Sequence, residues 1–160
     1  MRRMGRPTLL ITVAILAGFV VISGGAWAAQ PAPSGQNVFS CETKSMTLDE
    51  GHSFTSGHWK GLVLTVPNSP DHMAEMDCLG TFESMPDKSF KTSGYCLETD
   101  RDGDKLLDRW WADSTMPKGR WENKGISGKW KGFQNTGSYV YTDRSTQAEC
   151  RGVSTWESDR

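Results

Sequence analysis

After residue 28, apolar positions never settle into the i, i+3, i+4, i+7 spacing of a helix. They come in short runs rich in threonine, valine, tyrosine, phenylalanine and tryptophan, separated by clusters of Gly, Pro, Asn and Asp. That spacing predicts an antiparallel all-β domain with little helix. The predicted strands run 39–48, 54–66, 76–84, 89–99, 105–113, 120–123, 137–143 and 148–157, with 125–136 part strand and part loop. Gly51-His52-Ser53, Pro86-Asp87-Lys88 and Arg101-Asp102-Gly103-Asp104 are the tight turns; Pro67 to Asp71 is a longer loop, and Met73 to Glu75 a short turn. Eight sequential strands with short links favour an eight-stranded antiparallel up-and-down β-barrel, since closure leaves no exposed strand edge.

Gly119 to Tyr141 carries five glycines, two tryptophans and two tyrosines in 23 residues. Large rings beside residues with no side chain suit a strongly curved sheet, in which glycine lets strands bend and aromatics fill the concave side. A shorter echo stands earlier: Gly57-His58-Trp59-Lys60-Gly61 against Gly128-Lys129-Trp130-Lys131-Gly132.

The first 28 residues lie outside this pattern. Arg2, Arg3 and Arg6 precede an almost unbroken apolar run, Thr8 to Ser23, and Ala26-Trp27-Ala28 has the small-x-small form of a cleavage site. This is the layout of a secretory signal peptide; its alternative is an uncleaved anchor, since the run is near spanning length. Residues 29–37, AQPAPSGQN, are a Pro/Ala/Gly-rich leader expected to be disordered, and 38–160 form a single barrel domain. Three of the 18 basic residues leave with the signal while all 19 acidic ones stay, a net charge of about −4. With no basic patch, nucleic acid is excluded as a partner. No second apolar segment of spanning length follows, so no membrane association is expected after cleavage, and the protein is placed in the periplasm or outside the cell.

All four cysteines, Cys41, Cys78, Cys96 and Cys150, fall in the mature part. An even count in an exported chain implies two disulfides, for which three connectivities exist. If the turn at Asp87 is the midpoint of its hairpin, Cys78 and Cys96 face each other on adjacent strands. Cys41 and Cys150 then sit on the first and last strands, which are neighbours only if the barrel closes.

Candidate chemistry is sparse. Asp100-Arg101-Asp102-Gly103-Asp104 begins like an EF-hand loop, but Lys105 stands where glycine belongs and Trp111 where a bidentate glutamate belongs. The segment reads instead as a hairpin turn, and no metal or other cofactor is called. His52, His58 and His72 read as surface residues. Pairing about Asp102-Gly103 sets Glu98 opposite Leu107 and Leu97 opposite Asp108, which predicts no paired carboxylates. No phosphate loop or nucleophile elbow is present, and no catalytic residue is assigned. Trp110-Trp111 must point to opposite faces of one strand, leaving one ring outside, buried under a loop or the leader.

Gly94-Tyr95-Cys96-Leu97-Glu98-Thr99-Asp100-Arg101-Asp102-Gly103-Asp104-Lys105, followed by Arg109-Trp110, Gly119-x-Trp121, Gly128-Lys129-Trp130-x-Gly132 and Gly137-Ser138-Tyr139, resembles the small exported bacterial barrels related to the allene oxide cyclase and dirigent group, within the calycin-like barrels. The resemblance covers roughly residues 57–156 and rests on turns and bends. It departs at Ser127 and at Phe133 to Gly137, and none of the family's functional residues maps onto this chain. It implies a barrel; in the plant members such a barrel steers a reactive intermediate. The expectation is a non-enzymatic binder of a small apolar or aromatic molecule, lined by Trp59, Trp121, Trp130, Tyr139 and Tyr141. The alternatives are an enzyme guiding cyclisation or coupling in the same cavity, and an envelope interaction or inhibitor module. The first two require a hollow interior; the third expects a filled one, with an exposed aromatic patch near Trp110-Trp111.

Overall fold

The computed structural model describes residues 30–146 and 149–159; residues 1–28, expected above to be a signal peptide, lie outside the described residues. Eight strands follow one another: β1 (Ser34–Asp49), β2 (His52–Leu64), β3 (Glu75–Ser84), β4 (Phe90–Thr99), β5 (Lys105–Asp113), β6 (Gly119–Gly125), β7 (Gln134–Asp143) and β8 (Cys150–Ser158). Each pairs antiparallel with the next, and β8 returns to β1, so the sheet is a closed up-and-down barrel. The single helical feature among the described residues is a 3-10 turn, Gly128–Trp130, between β6 and β7.

β1 begins at Ser34, four residues before the predicted start of the domain. Ser34 pairs with Glu157 and Gly35 with Trp156, so part of the expected leader completes the ladder of the last strand. A Cβ on Gly35 would stand 2.7 Å from the Trp156 ring, which fits glycine at this crossing. Just ahead of the strand Ala32 is buried, its N–H 3.5 Å from a carboxylate oxygen of Asp71.

Alternation sets which side chains fill the barrel. Cys41, Trp59, Cys78, Cys96, Asp108 and Asn123 follow one another across successive strands in the pairing register and all face inward. Val63, Met76, Cys78, Cys96, Trp121 and Trp156 belong to the buried core. Inward glycines leave room for the large rings: a Cβ on Gly94 would meet the Trp110 ring at 2.3 Å, and one on Gly137 the Trp121 ring at 2.2 Å. The glycine–aromatic pattern is thus a packing pattern, each ring lying over a bare stretch of a neighbouring strand.

Both disulfides form: Cys78–Cys96 joins β3 to β4 across directly paired residues, and Cys41–Cys150 joins β1 to β8 at the seam. This chemistry belongs to an oxidising environment, such as that of an exported protein. No helix among the described residues is long and apolar enough to cross a membrane.

The β4–β5 hairpin departs from the predicted register by one residue. Thr99 pairs with Lys105, Glu98 with Leu106 and Cys96 with Asp108. The turn is a three-residue loop rather than a two-residue one. The Gly103 N–H donates to the Asp100 carbonyl at 2.9 Å, Gly103 takes φ +84°, and the Asp100 N–H donates to the Asp104 carbonyl at 3.0 Å. The Asp100 carboxylate accepts from the N–H groups of Asp102 and Asp104, at 2.8 and 3.1 Å, and holds that loop shape. An odd loop centres the hairpin on Asp102 alone, and this shift puts Glu98 and Asp108 on the same, inner, face.

Candidate functional site

The two ends of the barrel differ. At one end the β2–β3 segment, the β4–β5 turn, the β6–β7 segment and the N-terminal residues gather. Ala32, Asp71, Ala74 and Trp130 are buried there, so this end is packed. The opposite hairpin turns bring Asp113, Met116, Pro117, Lys118, Asp143 and Ser145 to a mouth where several of these lining residues are exposed. Between the ends lies a cavity of about 570 Å³.

Its walls are aromatic. Trp59 and Trp110 meet edge to face with centroids 5.9 Å apart, and Trp121 and Trp156 do the same at 5.8 Å. Both of the latter indoles are oriented by hydrogen bonds: Trp121 Nε1 donates to the Ser138 carbonyl at 3.2 Å, and Trp156 Nε1 to Asn37 Oδ1 at 3.0 Å. Tyr139 packs against this group. Towards the mouth Phe39 stacks on Tyr141 and Phe82 on Phe90, with centroids 5.9 and 5.6 Å apart.

The inner part of the cavity is acidic. Asp71, Glu98 and Asp108 are buried and line it, together with Asn123 from the next strand. Asp71 is held by the hydroxyls of Ser69 and Thr65, the second at 3.3 Å. Burial pushes the Glu98 carboxyl up to about 7, and the nearby Asp71 charge adds to this. Burial also holds Asp108 well above the usual carboxylate range, with Glu98 and then Glu122 contributing repulsion. The Tyr139 hydroxyl rises to about 12, through burial and the neighbouring Asp108. Asp108 Oδ1 and Asn123 Oδ1 are buried and accept no hydrogen bond from any described residue. Both side chains line the hollow, and a donor that reached these oxygens would relieve the cost of leaving them unpaired.

Compared with known proteins, the chain matches no family model and no curated sequence. Its function is therefore read from the barrel and its interior.

Of the residues expected to line a cavity, Trp59, Trp121, Tyr139 and Tyr141 do so. Trp130 stands apart from them. The 3-10 turn folds it over the closed end, 1% exposed, where its Nε1 donates to Asp100 Oδ2 at 2.7 Å and its ring meets Phe133. Lys129 Nζ reaches Asp100 at 2.9 Å and also pairs with Asp102. The acidic hairpin is thus engaged by a lysine, an indole and backbone N–H groups. His52 and His58 pair with Glu83 and Asp77, at 2.8 and 2.6 Å, and His72 Nδ1 accepts the Thr65 N–H at 3.3 Å. Trp110 faces inward. Trp111 faces out and is half-buried, its cover being the Arg109 guanidinium 5.2 Å from the ring rather than a loop or the leader.

Glu98 and Asp108 overturn the expectation of no convergent carboxylates. The signal that finds them is parity. Once Cys96 faces inward to meet Cys78, Glu98 two residues on does so too, and an inward Trp110 carries Asp108 with it.

Proposed function

We propose that this protein is an exported, disulfide-stapled barrel, in the periplasm or outside the cell, that binds one small apolar or aromatic molecule in its interior. The observation that carries this reading is the hollow of about 570 Å³ walled by Trp59, Trp110, Trp121 and Trp156. That volume falls within the range of small-molecule sites, as does the mixture of apolar walls with a few placed polar groups. A hollow interior favours this reading over an envelope interaction module, which works through an outer surface and needs no cavity.

The test is direct. N-phenyl-1-naphthylamine, a neutral fluorescent probe, should quench the cavity tryptophans and brighten on binding. Ala112 lines the cavity near the mouth, and Ala112→Trp should fill the entrance and abolish the signal with little change in melting temperature. Unchanged probe binding in that variant, or no binding to the wild type, would refute the reading. Native mass spectrometry of protein purified from its own envelope would then identify the natural occupant.

A second reading is supported by one feature. Burial pushes the Glu98 carboxyl up to about 7 at the inner part of an aromatic-walled cavity, which suits a general acid at neutral pH. This is compatible with a cyclase- or dirigent-like enzyme that steers a reactive intermediate. Loss of turnover, with retained binding, in Glu98→Gln would mark that case.

A further inference from the structure

The aromatic walls set the body of a ligand, and the inner rungs of the barrel set its head. Asp108 on β5 pairs across strands with Asn123 on β6, and the next inward rung on the same two strands is Trp110 paired with Trp121. A pair of unsatisfied oxygens therefore lies directly beside a pair of indoles. Glu98 and Asp71 add two further carboxyls to the same chamber. The basic residue among those lining the cavity is Lys118, which sits at the mouth and is tied to Glu157 at 2.5 Å. The interior thus offers acceptors, ionisable carboxyls and π faces with no internal cation beside them.

We infer that the ligand is an organic amine: an apolar or aromatic body along the tryptophan walls, with a protonated ammonium head held by the Asp108 and Asn123 side chains beside Trp110 and Trp121. This rests on the ligand-binding reading above and deepens it. Each part of the site matches a part of that chemistry. An ammonium is a donor with no acceptor, which satisfies two orphaned oxygens at once. One ionised carboxylate balances its charge, and indole faces attract cations that have left water. An anionic ligand would meet three acids instead.

The inference carries a proton signature. The head-group carboxyl is shared among Asp108 of β5, Glu98 of β4 and Asp71 of the β2–β3 segment; Tyr139 of β7 faces Asp108, and Glu122 of β6 acts on it from outside. Without a cation Glu98 and Asp108 hold their protons more tightly than they would in water, through burial and their mutual repulsion. Binding an ammonium should expel about one proton, so amine affinity rises as pH climbs from about 5 to 8.

The test uses three probes of one shape at pH 7.5: 2-(1-naphthyl)ethylamine, 2-(1-naphthyl)ethanol and 1-naphthylacetate. The amine should bind about tenfold or more tighter than the alcohol, since a hydrogen bond to a charged group exceeds a neutral one by that order, and the acid weakest. Asp108→Asn should lower amine affinity about tenfold while leaving the alcohol within about twofold. Calorimetry of the wild type in phosphate and in Tris reads the released proton without any variant, should Asp108→Asn fail to fold. Alcohol binding as tight as amine, or amine binding with no proton release, overturns the inference and leaves the apolar-binder reading standing. Failure of all three probes overturns both.

Discussion

Glu98 and Asp108 are carboxyls placed where water would normally be excluded, and their environment decides what they do. At the residue scale the consequence is a pH-dependent stability. Glu98 ionises near 4.5 in an unfolded chain and near 7 when folded. A folded pKa raised in this way gives stability that is full below about pH 4.5 and falls as pH rises to about 7, by about 3 kcal/mol for this one group. Differential scanning calorimetry should show the melting temperature dropping between pH 5 and pH 8, and Glu98→Gln should flatten that slope. A wild-type melting temperature that rises across this interval would mean that the carboxyl is not desolvated. Trp130 poses the opposite case, a ring whose role is structural. Trp130→Phe keeps most of the apolar contact but strips the indole donor from buried Asp100, at a cost of about 1–3 kcal/mol in urea unfolding. Because Trp130 lies outside the cavity lining, probe affinity should stay within about twofold of the wild type.

At the scale of elements, the two disulfides differ in what they constrain. Cys78–Cys96 closes 18 residues of one hairpin, which is already held by its own ladder. Cys41–Cys150 spans 109 residues and ties the first strand to the last. Loop-closure entropy makes the long-range bridge worth about 4–5 kcal/mol, against about 3 kcal/mol for the short one. Urea unfolding of Cys41→Ser/Cys150→Ser and Cys78→Ser/Cys96→Ser should rank them in that order, and equal losses would argue against seam closure as the weak point. The hairpin elements also explain how much of the site could be read in advance. Strand β5 has its predicted bounds, and the hairpin between Cys78 and Cys96 has its predicted register, because its turn is centred on Asp87 as expected. The next hairpin did not follow suit. Asp102-Gly103 looks like a two-residue turn, but the Asp100 side chain binds the N–H groups of Asp102 and Asp104 and converts it to three. A shift of one residue moves a carboxylate from one face of a strand to the other, and the acidic chamber hides in that single step.

At the scale of the whole molecule, closure does two things together. It pairs every strand edge, and it turns one face of a continuous sheet into a chamber walled from all sides. Period-2 alternation and turn chemistry are local properties, so the chain by itself determined the all-β class, the eight strands and the facing of Cys78 and Cys96, while the Cys41–Cys150 bridge waited on closure of the seam. The hollow and its acidic interior were decided only by tertiary structure. Whether eight strands enclose space depends on how far each ring reaches across the barrel, and Trp110 and Trp121 fold back over Gly94 and Gly137 instead of filling the axis. Trp130, with a glycine and a basic residue before it as at Trp59 and Trp121, left the wall because a turn rather than a strand carries it. Asp71, Glu98, Asp108 and Asn123 come from a loop and three strands, and it is the closed register that brings them to one chamber. Their desolvation exists only once the barrel has closed around them, which is why the chemistry of this protein is a property of the fold rather than of any one motif.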